Sequence, residues 1–180
     1  MSWIAGNLES KKIFEKLNNN KNIFIETGTQ AGNGVEWALR HFDKVISIEI
    51  LDEYYNKATN RFVGYDEDRL VLIKGNSGDV IESILNDIDE ACFIYLDAHG
   101  DISNAGPNPL YKELDTIKEH KIKNHLIVID DLRRFGDMSD PCWSKIDTNI
   151  LKEKIKEIND EYEIFEYKDM LIGCLKEDLI

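Results

Sequence analysis

The sequence predicts an α/β protein built on a doubly wound, mostly parallel seven-stranded sheet with a C-terminal antiparallel hairpin. Five short segments rich in Ile and Val are apolar almost throughout, as is typical of strands buried on both faces of a parallel sheet. Segments with helical periodicity lie between them, which favours right-handed β-α-β crossovers. The last two apolar segments are separated only by Lys168 and Asp169, a spacing typical of a hairpin.

The individual elements follow from the apolar periodicity. The predicted strands are, in chain order, Asn22–Glu26, Lys44–Glu49, Leu70–Lys74, Ala91–Asp97, His125–Asp130, Tyr162–Tyr167 and Met170–Leu175. Apolar residues at helical spacing predict one helix around Phe14 and Leu17, before the first strand, and one helix after each of the first five strands. The pattern of the last helix begins at Ile146 and ends at Ile158.

Size and charge limit the classes of function. With 180 residues, the chain is expected to form one domain over residues 1–180, large enough to bury a core. The net charge is −13, and no cluster of Lys and Arg offsets it. Because such a surface repels phosphate backbones, a nucleic-acid substrate is disfavoured.

The remaining composition predicts a cytoplasmic protein. No apolar run approaches the length of a membrane span, and the N-terminal residues do not resemble a signal peptide. The three cysteines are widely spaced, which fits neither a metal site nor a disulfide framework; Cys92 and Cys174 lie in apolar runs and are predicted core residues. His41, His120 and His125 fall at element ends, which favours surface positions.

A glycine-rich loop follows the first predicted strand. Residues 26–34 read E-T-G-T-Q-A-G-N-G, and the second strand ends on Glu49. Glycines let a ligand approach bare backbone, and a carboxylate at the end of the neighbouring strand accepts hydrogen bonds from ribose hydroxyls. The combination indicates a nucleoside-bearing cofactor, and its spacing differs from the G-x-G-x-x-G of dinucleotide sites. Glycines placed only for tight strand–turn–helix packing are the alternative.

Acidic residues end two further strands that should be neighbours. Asp97 ends the fourth strand, and Asp130 and Asp131 end the fifth. Two carboxylates about 4 Å apart repel by roughly 4 kcal/mol at an effective dielectric near 20, so three together need a cation, a shared proton or intervening solvent. A hard divalent cation relieves the repulsion, holds vicinal hydroxyls of an acceptor and lowers the pKa of one of them.

Long loops follow both acidic strand ends, at the sheet edge where open α/β sheets bind ligands. In the first loop, His99 lies two residues after Asp97 and is a candidate base for the acceptor proton. An exposed loop residue is the alternative for His99. Asp97 could instead order backbone amides, and Asp131 could cap a turn or pair with Arg133 or Arg134.

Several of these motifs together resemble class I S-adenosylmethionine (SAM) methyltransferases. The residues Glu26-Thr27-Gly28-Thr29 resemble motif I of that family. The stretch Asp97-Ala98-His99-Gly100, the pair Glu113-Leu114 and the stretch V-I-D-D-L-R-R-F-G at 128–136 resemble small family members associated with glycan and polysaccharide synthesis. The pairing of Asp97 with Asp130 and Asp131 is similar to that in macrocin-type, metal-dependent O-methyltransferases. The resemblance covers nearly all of residues 22–136.

The resemblance implies a Rossmann-like methyltransferase fold with SAM lying across the glycine-rich loop. The residues implied to bind SAM are Glu26, Thr27, Gly28, Thr29, Gly32, Gly34, Glu49, Ile50, Asn76, Ser77 and Asp97. The residues implied to bind a divalent cation, Mg²⁺ or Mn²⁺, are Asp97, Asp130 and Asp131, and the implied catalytic residues are His99 and Asp97. An N-cap for the following helix explains Asn76 and Ser77 equally well.

The expected function is methylation of a hydroxyl on a sugar, a glycan or a small polyol. A catechol-like aromatic acceptor is a second hypothesis, for which Tyr111 and Trp143 are the nearby aromatic residues, and a non-catalytic SAM-binding module is a third. The long N-terminal lid helices of many relatives are absent from this sequence. Whether this chain alone or a partner subunit, such as a second copy in a homo-oligomer, encloses the acceptor therefore stays open.

Overall fold

The computed structural model describes residues 14, 17, 21–98 and 106–179. Its strands are β1 (Ile23–Thr27), β2 (Lys44–Glu49), β3 (Leu70–Lys74), β4 (Cys92–Leu96), β5 (Leu126–Ile129), β6 (Glu163–Tyr167) and β7 (Met170–Cys174). Every predicted strand is present, with ends that differ by one residue at most. Side chains of β1, β4, β5 and β7 are buried along their whole length, which is why these segments are predominantly apolar.

The helices alternate with the strands as predicted. They are α1 (Asn33–Ala38), α2 (Asp52–Arg61), α3 (Ser77–Asn86), α4 (Leu110–Glu119) and α5 (Thr148–Ile158), with short 3-10 turns at Leu132–Arg134 and Lys176–Asp178. α5 begins after Ile146 because the Asp147 carboxylate accepts hydrogen bonds from the amides of Asn149 and Ile150 and caps the helix. Phe14 and Leu17 are helical and buried; the rest of the helix predicted around them lies outside the described residues.

The seven strands form one sheet in the order β3-β2-β1-β4-β5-β7-β6. The pairs among β1 to β5 are parallel, and β7 runs antiparallel to both β5 and β6. This confirms the predicted doubly wound sheet with its C-terminal hairpin. The strand order reverses between β1 and β4, and the carboxyl ends of strands at such a reversal form the ligand crevice of open α/β sheets.

The core lies on both faces of the sheet, since alternate residues of each central strand face opposite sides. Ile25 of β1 packs in the cluster that includes residues of α3, α4 and α5. Phe24 of the same strand packs on the opposite face with Trp37 of α1 and with Phe14. None of the helices within the described ranges has the length and apolar character needed to span a lipid bilayer.

Two of the three predicted surface histidines are buried, which corrects that prediction. His41 is exposed, but His120 is 6% exposed and His125 is fully buried. The Nδ1 atom of His125 accepts a hydrogen bond from the amide of Cys92, so its Nε2–H donates to Nδ1 of His120 at 2.9 Å. The second ring nitrogen of His120 then donates to the carbonyl of Ile88. This chain of neutral imidazoles satisfies both rings inside the protein.

The predicted burial of Cys92 and Cys174 is confirmed. Both thiols are inaccessible to solvent, and burial raises the pKa of each to about 12. Such thiols are protonated and unreactive at neutral pH.

Candidate functional site

A cleft of about 240 Å³ opens at the carboxyl ends of β1, β2, β3 and β4. Of the predicted SAM-binding residues, the ones that line it are Gly28, Glu49, Ile50, Asn76, Ser77 and Asp97. The other predicted residues lie outside its lining, and these are Glu26, Thr27, Thr29, Gly32 and Gly34. Gln30, Tyr54, Asn108 and Cys142 also line the cleft and were not predicted from the sequence.

Gly28 is a glycine because the chain crosses very close to the end of β4. Its φ is +91°, and a Cβ there would lie 2.5 Å from the carbonyl oxygen of Asp97. Its amide donates to the carbonyl of Ile48 at 2.9 Å, which fixes the loop to β2 as well. The backbone of the cleft floor is therefore bare and rigid at this point.

The Glu49 carboxylate is already oriented by the backbone around it. One oxygen accepts from the amide of Gln30 and the other from the amide of Leu51, both at 2.8 Å. The residue is only 4% exposed, yet it lines the cleft. A carboxylate has about four lone-pair positions, so two are left for hydroxyl donors from a ligand.

Glu26 lies behind the glycine-rich loop rather than in the cleft lining. The Ser47 hydroxyl donates to its Oε2 at 2.7 Å, and the Thr29 hydroxyl lies 2.7 Å from that of Ser47. A Cβ on Gly34 would lie 1.7 Å from Oε1 of Glu26, so the start of α1 packs directly on the carboxyl group. At Gly34 the glycine therefore serves tight packing, the alternative considered for the loop.

Burial raises the pKa of Glu26 from 4.5 to about 8, with the Ser47 hydrogen bond opposing and the charge of Glu49 adding to the shift. The folded protein thus keeps a proton that the unfolded chain has released between pH 4.5 and 8. The contribution of Glu26 to stability is present below pH 4.5 and is lost as the pH rises through this interval. The loss is at most about 5 kcal/mol, from about 1.4 kcal/mol per pKa unit.

We expect Glu26→Gln to remove this part of the pH dependence, because the amide is neutral at every pH. The melting temperature of the variant should exceed that of the wild type by an amount that grows from pH 5 to pH 8, as measured by scanning calorimetry. Glu163→Gln, the same change on the exposed part of β6, is the control and should follow the wild type. Parallel curves for Glu26→Gln and the wild type would contradict the assignment.

Asp97 follows β4 directly and is held at the reversal of strand order. Its amide donates to the carbonyl of Thr27 and lies 3.2 Å from the Thr27 hydroxyl oxygen. Burial raises the pKa of Asp97 well above its ordinary value, and the charges of Asp130, Asp131 and Glu26 add to the effect. Asp97 thus lies within electrostatic range of the acids after β5.

Asp130 is almost fully buried beneath the same edge of the sheet. Its Oδ2 accepts a short hydrogen bond from the hydroxyl of Tyr95, and its Oδ1 accepts from the amide of Asp131 at 2.8 Å. Burial raises the pKa of Asp130, while these two hydrogen bonds partly oppose the rise. Tyr95 is a fully buried residue of β4, so Asp130 is anchored from the neighbouring strand.

Asp169 is a member of the acidic group that was not predicted from the sequence. Among the described residues, the three carboxylates with oxygens within 4.8 Å of one another are Asp130, Asp131 and Asp169, whereas Asp97 is not in that set. Asp169 lies in the β6–β7 turn, and its Oδ1 accepts from the amide of Arg133 at 2.8 Å. Because β7 runs antiparallel to β5, this turn returns to the carboxyl end of β5.

Arg133 pairs with two of the three acids. Its guanidinium lies 2.9 Å from Asp131 and also forms an ion pair with Asp169. Arg134 is paired in the same way with Asp137 and Asp140. For Asp131, the alternative of pairing with Arg133 is therefore present, whereas Arg134 pairs with other aspartates.

The acidic group fits a hard divalent cation. Oxygen ligands of Mg²⁺ at about 2.1 Å lie at most about 4.2 Å apart, and the larger Ca²⁺ allows about 5 Å, so oxygens within 4.8 Å need only small adjustments. Asp131 adopts the left-handed backbone conformation, with a φ of 63°. This conformation is uncommon for residues other than glycine and is found most often at functional sites. His99, the predicted base, lies outside the described residues.

Comparisons with known proteins support the fold. No protein-family model matches the sequence, and no curated protein sequence matches it. Solved structures do match. An O-methyltransferase from Bacillus cereus, in complex with S-adenosylhomocysteine (SAH), is 16% identical, with a TM-score of 0.64 over 97% of this chain and 84% of that chain. Human methyltransferase-like protein 13 with SAH is 14% identical, with a TM-score of 0.60 over 93% and 81%.

A third similar structure is the MycE methyltransferase from the mycinamycin biosynthetic pathway, in complex with Mg and SAH. It is 16% identical, with a TM-score of 0.63 over 93% of this chain, which spans about half (48%) of the length of MycE. At these identities the likeness establishes the fold alone. The chain therefore has the class I methyltransferase fold that its motifs predict.

Proposed function

We propose that this chain is a SAM-dependent O-methyltransferase that acts on a hydroxyl of a sugar, a glycan or a small polyol, assisted by Mg²⁺ or Mn²⁺. The observation that carries the proposal is the placement of two polar groups around one sheet edge. Glu49 faces the cleft on the β2 side, and the carboxylates after β4 and β5 lie on the other side. The first group suits a ribose and the second suits a cation with a hydroxylated acceptor.

The cleft residues have a defined task toward SAM, which supplies the electrophilic methyl group. Glu49 accepts hydrogen bonds from the ribose hydroxyls, bare backbone at Gly28 permits close approach, and Ile50 packs against the adenine. Asp97 lies at the junction between this cleft and the acidic group. The protein's contribution to rate is then the alignment of acceptor and methyl group at short distance.

Toward the acceptor, Asp130 and Asp131 hold the cation together with Asp169, and Asp97 lies beside them. The cation supplies a point of attachment for vicinal hydroxyls and lowers the pKa of one of them. His99 is the proposed base that takes the proton. The presence of Mg and SAH together in MycE supports this arrangement, and the net charge of −13 favours a small molecule or glycan over a nucleic acid.

The two alternative functions are less well supported. An aromatic acceptor needs an exposed ring on which to stack, but Trp143 is fully buried and stacks on Phe135. The Tyr111 hydroxyl is engaged with the carbonyl of Lys145 and the amide of Asp147. A module that only binds SAM has no need for a group of three carboxylates at this edge of the sheet.

The direct test is turnover of SAM with a panel of sugars, glycans and polyols, with a catechol as a separate arm, detected as SAH formation. We expect turnover with at least one sugar or polyol, loss of turnover in EDTA and recovery with Mg²⁺ or Mn²⁺. Turnover with the catechol alone would favour the aromatic alternative. SAH binding without turnover of any acceptor would favour the non-catalytic module.

A further inference from the structure

Arg133 covers the solvent side of the acidic group formed by Asp130, Asp131 and Asp169. Its guanidinium lies 2.9 Å from Oδ1 of Asp131 and also forms an ion pair with Oδ2 of Asp169. The side chain of Arg133 is 55% exposed, whereas those of Asp131 and Asp169 are 22% and 9% exposed. The acids therefore reach the group from the protein side, and the guanidinium reaches it from the solvent.

The guanidinium satisfies Asp169 only in part. Oδ1 of Asp169 accepts from the amide of Arg133 at 2.8 Å. Oδ2 is buried and makes no hydrogen bond of standard geometry with the described residues, so its contact with the guanidinium is one of charge alone. A buried carboxylate oxygen without a hydrogen bond is costly. A compact cation demands no donor direction and satisfies such an oxygen better than a planar guanidinium does.

A divalent cation and the guanidinium compete for the same oxygens. A Mg²⁺ ion about 2.1 Å from the Asp131 oxygen that Arg133 contacts would lie at most about 5 Å from the guanidinium nitrogen. Even at the dielectric constant of water, a single and a double positive charge about 5 Å apart repel enough to change an affinity by more than about tenfold. Full occupancy by the cation therefore requires that the guanidinium leaves.

The backbone at Arg133 is held independently of its side chain. The amide of Arg133 donates to Oδ1 of Asp169, and the amide of Leu132 donates to the carbonyl of Asp169 at 2.9 Å. These two bonds fix the 3-10 turn to the β6–β7 turn. The side chain of Arg133 can thus move into solvent, or be replaced, while the backbone around the acidic group keeps its place.

We propose that Arg133 is an exchangeable counter-ion of the acidic group: its guanidinium neutralises Asp131 and Asp169 until a divalent cation displaces it. The inference rests on the proposed function, from which it takes the cation. It makes Arg133 a specificity-determining residue for that cation. A monovalent cation brings no more charge than the guanidinium that it would replace, whereas a divalent cation brings twice as much and gains by the exchange.

The test is the affinity for Mn²⁺, measured by electron paramagnetic resonance on the whole chain without SAM or acceptor. Arg133→Gln removes the competing charge and keeps the backbone amide that donates to Asp169. It should lower the Kd for Mn²⁺ by about tenfold. Arg133→Lys retains the charge and should keep the Kd within about threefold of the wild-type value.

Arg134→Gln is the matched control, because it removes the same charge from the next position of the same turn. Arg134 is paired with Asp137 and Asp140, and its guanidinium lies 5.5 Å from the centre of the Trp143 ring. Since these partners lie outside the acidic group, the Kd of Arg134→Gln for Mn²⁺ should stay within about threefold of the wild-type value.

Thermal unfolding separates the exchange from a purely structural role of Arg133. In EDTA, Arg133→Gln should have a lower melting temperature than the wild type, because the acids lose their counter-ion. Saturating Mn²⁺ should close this gap, since the cation then neutralises the same carboxylates in both proteins and binds the variant more tightly. A structural role would leave the gap the same with and without Mn²⁺.

Three results would overturn the inference: an Arg133→Gln variant that binds Mn²⁺ no more tightly than the wild type, an equal gain in Arg134→Gln or Arg133→Lys, or a gap in melting temperature that persists in Mn²⁺. In each of these cases the wild type still binds Mn²⁺, so the proposed function stands. If neither the wild type nor Arg133→Gln binds Mn²⁺, the exchange and the cation of the proposed function both fail.

Discussion

Asp130→Asn is expected to lower the rate of methyl transfer by at least about two orders of magnitude, while SAH binding stays within about twofold of the wild type. Asp130 belongs to the acidic group proposed to hold the cation, and a lost charged ligand removes several kcal/mol of charge stabilisation. The amide keeps an oxygen for the amide of Asp131, and the Tyr95 hydroxyl can rotate to accept from the new NH₂. Asp130 does not line the cofactor cleft, so SAH should be unaffected.

Single-turnover kinetics measure the rate, and Mn²⁺ binding followed by electron paramagnetic resonance measures the site itself. The matched control is Asp160→Asn, the same substitution on an exposed residue after α5. Removal of a buried charge should leave the melting temperature of Asp130→Asn unchanged or raised, which separates the effect from misfolding. A wild-type rate in Asp130→Asn would reject the cation site at this edge of the sheet.

Removal of the Glu49 carboxylate is expected to weaken SAM binding by about tenfold to a hundredfold. Hydrogen bonds to a charged group contribute about 1.5–3 kcal/mol, and each 1.4 kcal/mol is about tenfold in affinity. Glu49→Ala also leaves the amides of Gln30 and Leu51 without their acceptor. We therefore expect a lower melting temperature for the ligand-free variant, so its affinity has to be measured well below the transition.

The control for this substitution is Glu53→Ala, an exposed acid on α2 that is paired with Lys57. It should leave the SAM affinity unchanged. Calorimetry at 15 °C gives both affinities directly. If Glu49→Ala and Glu53→Ala bound SAM equally well, the assignment of the ribose to Glu49 would have to be abandoned.

The sheet could be predicted from the sequence because its physical signal is local. A strand such as Ile23 to Thr27 or Val45 to Ile48 is buried on both faces, so most of its side chains are apolar, with Glu26 and Ser47 as hydrogen-bonded exceptions. The hairpin could be predicted equally well. A two-residue connection is too short for the crossover that parallel strands require, so β6 and β7 have to be antiparallel. Helix starts depend on single side-chain contacts, and the Asp147 cap moved the start of α5 beyond Ile146.

The site could be predicted only in part, because some of its contacts join distant segments. Glu49, Asn76 and Asp97 follow strands, and strand ends are known once the strands are known. Asp169 is different, since its approach to Asp130 depends on β7 pairing with β5 rather than on any local pattern. The predicted hairpin places Asp169 in its turn, and pairing of the last strand with β5 would bring that turn close to Asp130. This combination could have been used to predict the contact.

Burial of polar side chains was the least predictable property. His120 and His125 lie where the apolar periodicity ends, and residues at such positions are usually exposed to solvent. Both are nevertheless buried, because a hydrogen bond joins the two rings inside the protein. Glu113 was noticed only as part of a motif, and its complete burial follows from the packing of α4 against α3 and the sheet. Whether such a side chain is buried depends on a partner residue elsewhere in the chain. A single sequence does not show which two residues come into contact.

The strand order has a consequence for how new acceptor preferences can arise. Glu49 and Asn76 lie on one flank of the β1–β4 pair, and Asp130 and Asp169 lie on the other. A recombination crossover between β4 and β5 would thus inherit the proposed nucleoside half from one parent gene and the proposed acceptor half from another. Asp97, at the seam, and Cys142, which lines the cleft although it follows β5, would have to suit both parents. The rest of each half could then diversify at its own speed.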